Sequence, residues 1–211
     1  MPSLDPRALG HAPEASLSVV AYRNQATGFD PRSGDGARRL GGRFNPPHSF
    51  PVLYLCLSRP CVVAELTRQA ERQGLDIDAL LPRELFEIST DLDKVLDLTD
   101  TSTLDALGIA PPDLIREDHR FTQEIGEAAH EHAFQAIRSP SATGVDHVLA
   151  IFPEKLAGAV LDVRLLGEWH TPDDLTAIEP SVPTPSLTAE TWNRGAVDSR
   201  RVRSWSVLRR S

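Results

Sequence analysis

The sequence predicts an α+β fold in one domain, and three observations carry that reading. Short apolar runs bounded by Gly, Pro or Ser interleave with segments of helical spacing. They follow no regular strand–helix–strand period, so a wound parallel sheet is not expected. The 211 residues are 40% hydrophobic and 25% charged, enough for one core without disulfides or metals.

Residues 1–16 mix Pro and Gly with polar residues and read as a lead-in loop. Residues 17–22 (LSVVAY) read as a first strand, and residues 24–51, rich in Gly, Arg and Pro, as a long loop of the kind that is often functional. Residues 52–57 (VLYLCL) form a buried strand between Pro51 and Ser58-Arg59-Pro60. A helix follows: Ser58 caps it, Pro60 sits in its first turn, Val62, Val63, Leu66 and Ala70 share a side, and Gly74 stops it. Residues 85–88 and 95–98 read as two strands around Thr90-Asp91-Leu92-Asp93. A short helix covers 104–107, ending at Gly108 with Pro111-Pro112 beyond. Helical spacing runs over 121–137 (Phe121, Ile125, Ala129, His132, Ala133, Ala136), and 148–152 and 159–165 read as closing strands. Residues 179–188 (EPSVPTPSLT) read as a linker to an Arg-rich tail.

Net charge is −8, with 20 Arg and 2 Lys among the cations. Residues 192–211 hold six Arg and one Asp, so this tail carries +5 and the remainder −13. An acidic body argues against tight, sequence-independent binding to nucleic acid. No apolar run is long enough to span a membrane. The start, Met1-Pro2-Ser3-Leu4-Asp5-Pro6, lacks the pattern of a secretory signal, so the cytoplasm is the expected compartment. Cys56 and Cys61 make no disulfide framework and are too few for a zinc site; they read as small apolar residues. His130 and His132, two apart on a helix, point in different directions and make a poor metal pair, so no metal is expected.

Three features can carry chemistry. In Arg38-Arg39-Leu40-Gly41-Gly42-Arg43-Phe44-Asn45-Pro46-Pro47, two glycines allow a sharp turn and close approach to a ligand, and two prolines stiffen the exit. Arg43 is then a fork suited to phosphate or carboxylate, or an ordinary exposed arginine of a surface turn. Glu65 lies within the apolar stretch of its helix and faces either a pocket or solvent. Arg138-Ser139-Pro140-Ser141-Ala142-Thr143-Gly144 connects a helix to a strand, and its hydroxyls and amides either bind phosphate or ribose oxygens or simply form the turn. No phosphate-binding P-loop, dinucleotide glycine fingerprint, zinc-protease motif or nucleophile elbow is present.

In order, Tyr22-Arg23, Gly41-Gly42-Arg43-Phe44-Asn45-Pro46-Pro47, Tyr54-Leu55, Glu65, Thr122-Gln123-Glu124-Ile125-Gly126 and Pro140-Ser141-Ala142 resemble the RES domain, named for its Arg, Glu and Ser. The resemblance covers about residues 17–168; Phe44 stands where the family usually has Trp, and the Pro-Ser-Ala context favours Ser141 over Ser139. With it the chain divides into a lead-in (1–16), a catalytic domain (17–168) and, beyond the resemblance and from composition alone, a Pro-rich connection (169–191) and a basic tail (192–211). It implies a fold similar to ADP-ribosyltransferases and the toxin of a type II toxin–antitoxin pair. Such a toxin cleaves NAD with water or phosphate and is restrained by an Xre-type antitoxin in a hetero-oligomer. The implied catalytic residues are Arg43, Glu65 and Ser141. Arg23, Gly42, Arg43, Tyr54 and Ser141 would bind the dinucleotide, which is a substrate, with inorganic phosphate as co-substrate. Two further readings remain: a mono-ADP-ribosyltransferase acting on a protein, and a nucleic-acid-directed toxin using the +5 tail.

Overall fold

The computed structural model describes residues 4–176. The expected linker at 179–188 and the basic tail lie outside the described residues.

The longest strand, β3 (Arg83–Asp97), explains most of the architecture. From Phe86 onward Phe86, Ile88, Thr90 and Leu92 are buried, whereas Glu87, Ser89, Asp91 and Asp93 are not. That alternation runs straight through the segment expected to separate two strands. Polar residues at every second position mark a half-covered sheet face here, and not a turn. β3 lies antiparallel to β1 (Ala15–Ala26), in register from Ala26 opposite Arg83 to Leu17 opposite Leu92, with a one-residue shift before Ala15 meets Val95.

At Val95–Asp97 β3 changes partner and pairs in parallel with β4 (Ala136–Pro140). Buried Gln135 fixes the handover: its Oε1 accepts the amides of Asp93 (2.7 Å) and Lys94 (3.1 Å), and its Nε2 donates to the Leu156 carbonyl (2.9 Å). β4 pairs with β5 (His147–Ile151), β5 with β2 (Leu53–Cys56), and β2 returns to β1. Five strands therefore close into a barrel-like ring, and β6 (Asp162–Trp169) adds to the first half of β3. Leu53, Leu55, Ile88, Leu92, Leu149 and Ile151 fill the ring.

The return of β2 to β1 is made at one register point, Tyr22 opposite Cys56. α3 (Arg59–Gln73) follows β2 beside this weak seam, begun by Ser58, whose Oγ accepts the Cys61 amide, and ended by left-handed Gly74, as expected. Its buried Cys61, Val62 and Leu66 pack against Leu85, Trp169 and Leu175.

On another side, α5 (Arg120–Glu131) builds a second core with Phe44, Leu96, Phe134 and Phe152. The lead-in also joins it: α1 (Pro6–Leu9) buries Leu9 completely, where a loop was expected. α5 ends before the predicted 137. Ala133 takes a φ of 57° and turns the chain, and the apolar spacing that continues past it belongs to buried Ala136 and Ile137 of β4. The expected loop 24–51 contains a helix, α2 (Asp35–Leu40), whose end runs into Gly41. α4 (Thr101–Leu107) stops at left-handed Gly108 as expected, and α6 (Pro172–Thr176) follows β6.

α5 reaches the Phe44 segment only because residue 126 is glycine: a Cβ there would lie 1.8 Å from the Phe44 carbonyl oxygen. Backbone cannot give way as a side chain tip can. Gly126→Ala should therefore lose about 2–3 kcal/mol in chemical denaturation, at the upper end of overpacking costs. Gly36→Ala on α2, where a Cβ meets nothing, should be neutral or stabilising.

Candidate active site

A cavity of about 620 Å³ opens at the β1–β2 seam. Its walls come from Tyr22–Asn24 on β1, the Gly41–Arg43 turn, Tyr54–Cys56 on β2, one face of α3, Arg83 at the start of β3, and His119 with Gln123 at the start of α5. On α3 Glu65, Arg68, Gln69, Arg72 and Gln73 line the cavity together with Val62 and Leu66 of the buried stripe. The two readings left open for Glu65 are thus resolved in favour of a pocket.

The turn that carries Arg43 is held by buried hydrogen bonds. Gly41 has a φ of 76°, and a Cβ there would meet the Pro47 ring at 2.8 Å. Gly42 and Asn45 form a bridge, with the Gly42 amide donating to the Asn45 carbonyl at 2.9 Å. The Tyr54 hydroxyl accepts the Phe44 amide (2.8 Å) and donates to Asn45 Oδ1 (3.0 Å). Asn45 is fully buried and donates Nδ2 to the Ala37 carbonyl (2.8 Å); Gln123 Nε2 donates to the Gly42 carbonyl (3.0 Å). A Cβ on Gly42 would lie 2.6 Å from the Tyr54 hydroxyl, so the close approach at this glycine is to Tyr54 itself. Tyr54, expected to bind the dinucleotide, does line the cavity; its hydroxyl fastens the turn, and burial pushes its pKa above the ordinary tyrosine value.

Arg43 projects from this turn and donates Nη1 to the Leu114 carbonyl at 2.6 Å. Burial and the Arg68 charge pull its pKa below the usual guanidinium value, with Glu65 opposing. Glu65 Oε1 accepts a hydrogen bond from Ser141 Oγ at 2.6 Å. A carboxylate only accepts, so Ser141 donates its one hydroxyl proton there, and Thr143 Oγ1, at 2.6 Å from Ser141 Oγ, is the donor to Ser141. Ser141 is 1% exposed and reaches the cavity through Glu65. Ser139, also buried, lies on β4 and makes no contact with Glu65. The amides of Thr143, Gly144 and Val145 are bonded inside the β4–β5 turn, which favours the turn-forming reading of that segment.

Arg23 also lines the cavity. It donates Nη1 to the Ser33 carbonyl at 3.0 Å, and burial together with the neighbouring Arg83 lowers its pKa to about 10. Sequence reasoning missed Arg68, Arg72, Arg83 and His119. Arg68 and Arg72 had a usable signal, since they fall three and seven residues after Glu65 on one helix. Arg83 and His119 had none, because only the tertiary fold brings them in. Arg68 and Arg72 both pair with Glu117. Burial and the nearby Arg43 and Arg72 lower the His119 pKa, so this imidazole stays neutral near pH 7. Among the described residues, no three His, Cys, Asp or Glu side chains gather as a metal site.

The site is therefore a cavity at the seam of a closed mixed sheet, lined by one carboxylate, Glu65, and by Arg23, Arg43, Arg68, Arg72 and Arg83. The chain belongs to the RES domain family, whose model matches residues 20–174. It is 34% identical over 150 residues to the NAD(+) phosphorylase MbcT of Mycobacterium tuberculosis and of Mycobacterium bovis, a match covering 70% of this chain and 80% of each relative. Among solved structures it is similar to the M. tuberculosis MbcT–MbcA toxin–antitoxin complex, with a TM-score of 0.68 and 27% identity over 81% of this chain and 94% of the matched one.

Tyr54→Phe removes the acceptor of the buried Phe44 amide and one partner of Asn45. It should cost about 1–3 kcal/mol by chemical denaturation, the usual penalty for a buried polar group left unpaired. No loss would show that the turn holds itself without the tyrosine.

Proposed function

We propose that this chain is the toxin of a toxin–antitoxin pair, that it cleaves NAD at the nicotinamide–ribose bond, and that inorganic phosphate accepts the ADP-ribosyl group. The observation that carries this is Glu65, held by Ser141 and set in a cavity otherwise rich in arginine. The family and the phosphorylase named among its relatives support the same chemistry.

Nicotinamide is a good leaving group, so the C–N bond breaks with little acid assistance. Positive charge then develops on the ribose carbon and its ring oxygen. Glu65 faces that charge and accepts from ribose hydroxyls. The Ser141 bond takes one lone pair of Oε1 and leaves Oε2 for the sugar. Arg43 and Arg23 neutralise phosphate groups, and Gly42 gives the backbone room beside Tyr54. A phosphate oxygen forms the new bond to the ribose carbon while the electron pair of the broken bond leaves with nicotinamide. The products are nicotinamide and ADP-ribose 1″-phosphate; with water as acceptor they would be nicotinamide, ADP-ribose and a proton.

A toxin of this kind needs restraint. The neighbour's toxin–antitoxin complex supports an antitoxin partner. An Xre-type antitoxin, a hetero-oligomeric assembly, a cytoplasmic location and a fold likeness to ADP-ribosyltransferases belong to the same proposal. Among the described residues no helix is long and apolar enough to cross a membrane.

NAD loss by the purified chain, followed with and without inorganic phosphate, tests the reading. Nicotinamide release that rises with phosphate is expected; label from NAD on a protein band would instead indicate protein ADP-ribosylation. Glu65→Gln should lower kcat roughly a hundred- to a thousandfold. Ser141→Ala should lower it about tenfold through a misplaced Glu65, whereas Ser139→Ala should leave it within about twofold. Equal effects at the two serines would remove the positioning role of Ser141.

A further inference from the structure

We infer that Arg83 is a further substrate-binding residue, forming with Arg23 a phosphate-binding subsite separate from the cation group of Arg43, Arg68 and Arg72. The inference rests on the NAD-cleaving reading and extends it by naming what that end of the cavity holds.

Arg23 and Arg83 both line the cavity and lie close enough for the charge of one to act on the other. Their positions follow from the β1–β3 ribbon, in which Arg23 stands opposite Phe86 and Ala26 opposite Arg83. Each is hydrogen-bonded to a neutral acceptor: Arg23 to the Ser33 carbonyl and Arg83 Nε to Asn24 Oδ1. Among the described residues neither forms an ion pair. The acid that acts on Arg23 is Asp30, outside ion-pair distance and with its Oδ1 accepting the Arg32 amide.

The protein pairs other arginines with acids. Arg138 meets Asp97, Arg116 meets Asp113, Arg164 meets Glu87, and Arg68 and Arg72 share Glu117. Arg43 also bonds only carbonyl oxygens, but Arg23 and Arg83 are two such guanidinium groups acting on each other in one cavity. Burial lowers the pKa of both, and the repulsion between them adds to the cost. An anion bound between them offsets both penalties.

Phosphate fits best. A guanidinium has five N–H donors, and each of these uses one on the protein, so several remain for a tetrahedral dianion. The proposed reaction brings two sources of this chemistry into one cavity: the pyrophosphate of the dinucleotide and inorganic phosphate. Two cation groups match that requirement.

Calorimetric titration of the full chain with inorganic phosphate alone, and with ADP-ribose alone, tests the subsite without turnover. Arg83→Gln should weaken one of the two by about tenfold to a hundredfold, the usual range for a lost charge-assisted contact. Weakened phosphate binding with ADP-ribose unchanged assigns the subsite to the acceptor; the opposite result assigns it to the pyrophosphate. Arg164→Gln, a surface arginine already paired, should change neither. Ligand-free Arg83→Gln should melt at or above wild type, because a desolvated cation has been removed. A lower melting temperature, together with wild-type anion affinity for Arg83→Gln when binding is measured well below that temperature, would give Arg83 a structural role and overturn the proposal. Unchanged binding of both anions by Arg83→Gln, or no binding of either by wild type, would overturn it too. Wild-type NAD consumption is measured alongside. Its absence with Arg83-dependent anion binding defeats the reaction, and its presence with Arg83-independent binding defeats the subsite.

Discussion

The hydroxyl of Tyr54 is the fixed point on which the site depends. It accepts the Phe44 amide and donates to Asn45, so one buried side chain on a core strand fastens both sides of the turn that presents Arg43. Phe44 between them is fully buried in the core beside α5. A charged fork cannot hold a position in a desolvated cavity by its own contacts, because its long side chain is free to return to water. The backbone beneath it has to be rigid. That rigidity needs satisfied buried polar atoms, and Asn45 meets the condition by bonding Tyr54, Ala37 and the backbone around it.

The same logic applies to the carboxylate. Arg43 is among the charges that act on Glu65's surroundings, and Arg68 shares the same helix face. A carboxylate free to swing would pair with one of them and remove itself from the cavity. Among the described residues Glu65 forms no ion pair; it is bonded to Ser141, which is itself held by Thr143. A neutral donor orients the carboxylate without cancelling its charge. The turn between β4 and β5 serves that orientation through its side chains, while its amides close the turn on itself.

How much of this was legible in the sequence depends on the range of the interactions involved. α3 was readable from Ser58 to Gly74 because caps are local chemistry. The glycines around Arg43 and the resemblance they carry pointed to the turn, and the ordered motifs included Gln123 and Gly126, whose roles appear only when α5 lies against Phe44. β3 was misread because alternating polar residues on an exposed face look like turn residues when no partner strand is visible. The apolar spacing past Glu131 was misread because a buried strand continues the pattern of a buried helix. α2 was hidden because its good helix formers, Ala37 to Leu40, span barely one turn among the glycines and prolines of residues 28–47. Arg83 could not be seen at all: sixty residues from Arg23, it is brought beside it by strand register alone.

Charge satisfaction in the cavity changes with depth, and this follows from dielectric environment. Arg72 is 49% exposed, and it shares Glu117, itself 69% exposed, with the more buried Arg68. Such a pair near water is weak and readily exchanged for another anion. Arg43, Arg23 and Arg83 lie where desolvation lowers their pKa, and their protein bonds are to carbonyl and amide oxygens. A carboxylate bonded directly to them would stabilise the empty protein and compete with every anionic ligand. Neutral acceptors hold the guanidinium groups in place and leave their charge available. The empty cavity therefore concentrates desolvated positive charge, and binding of the proposed phosphate-bearing ligand would offset it.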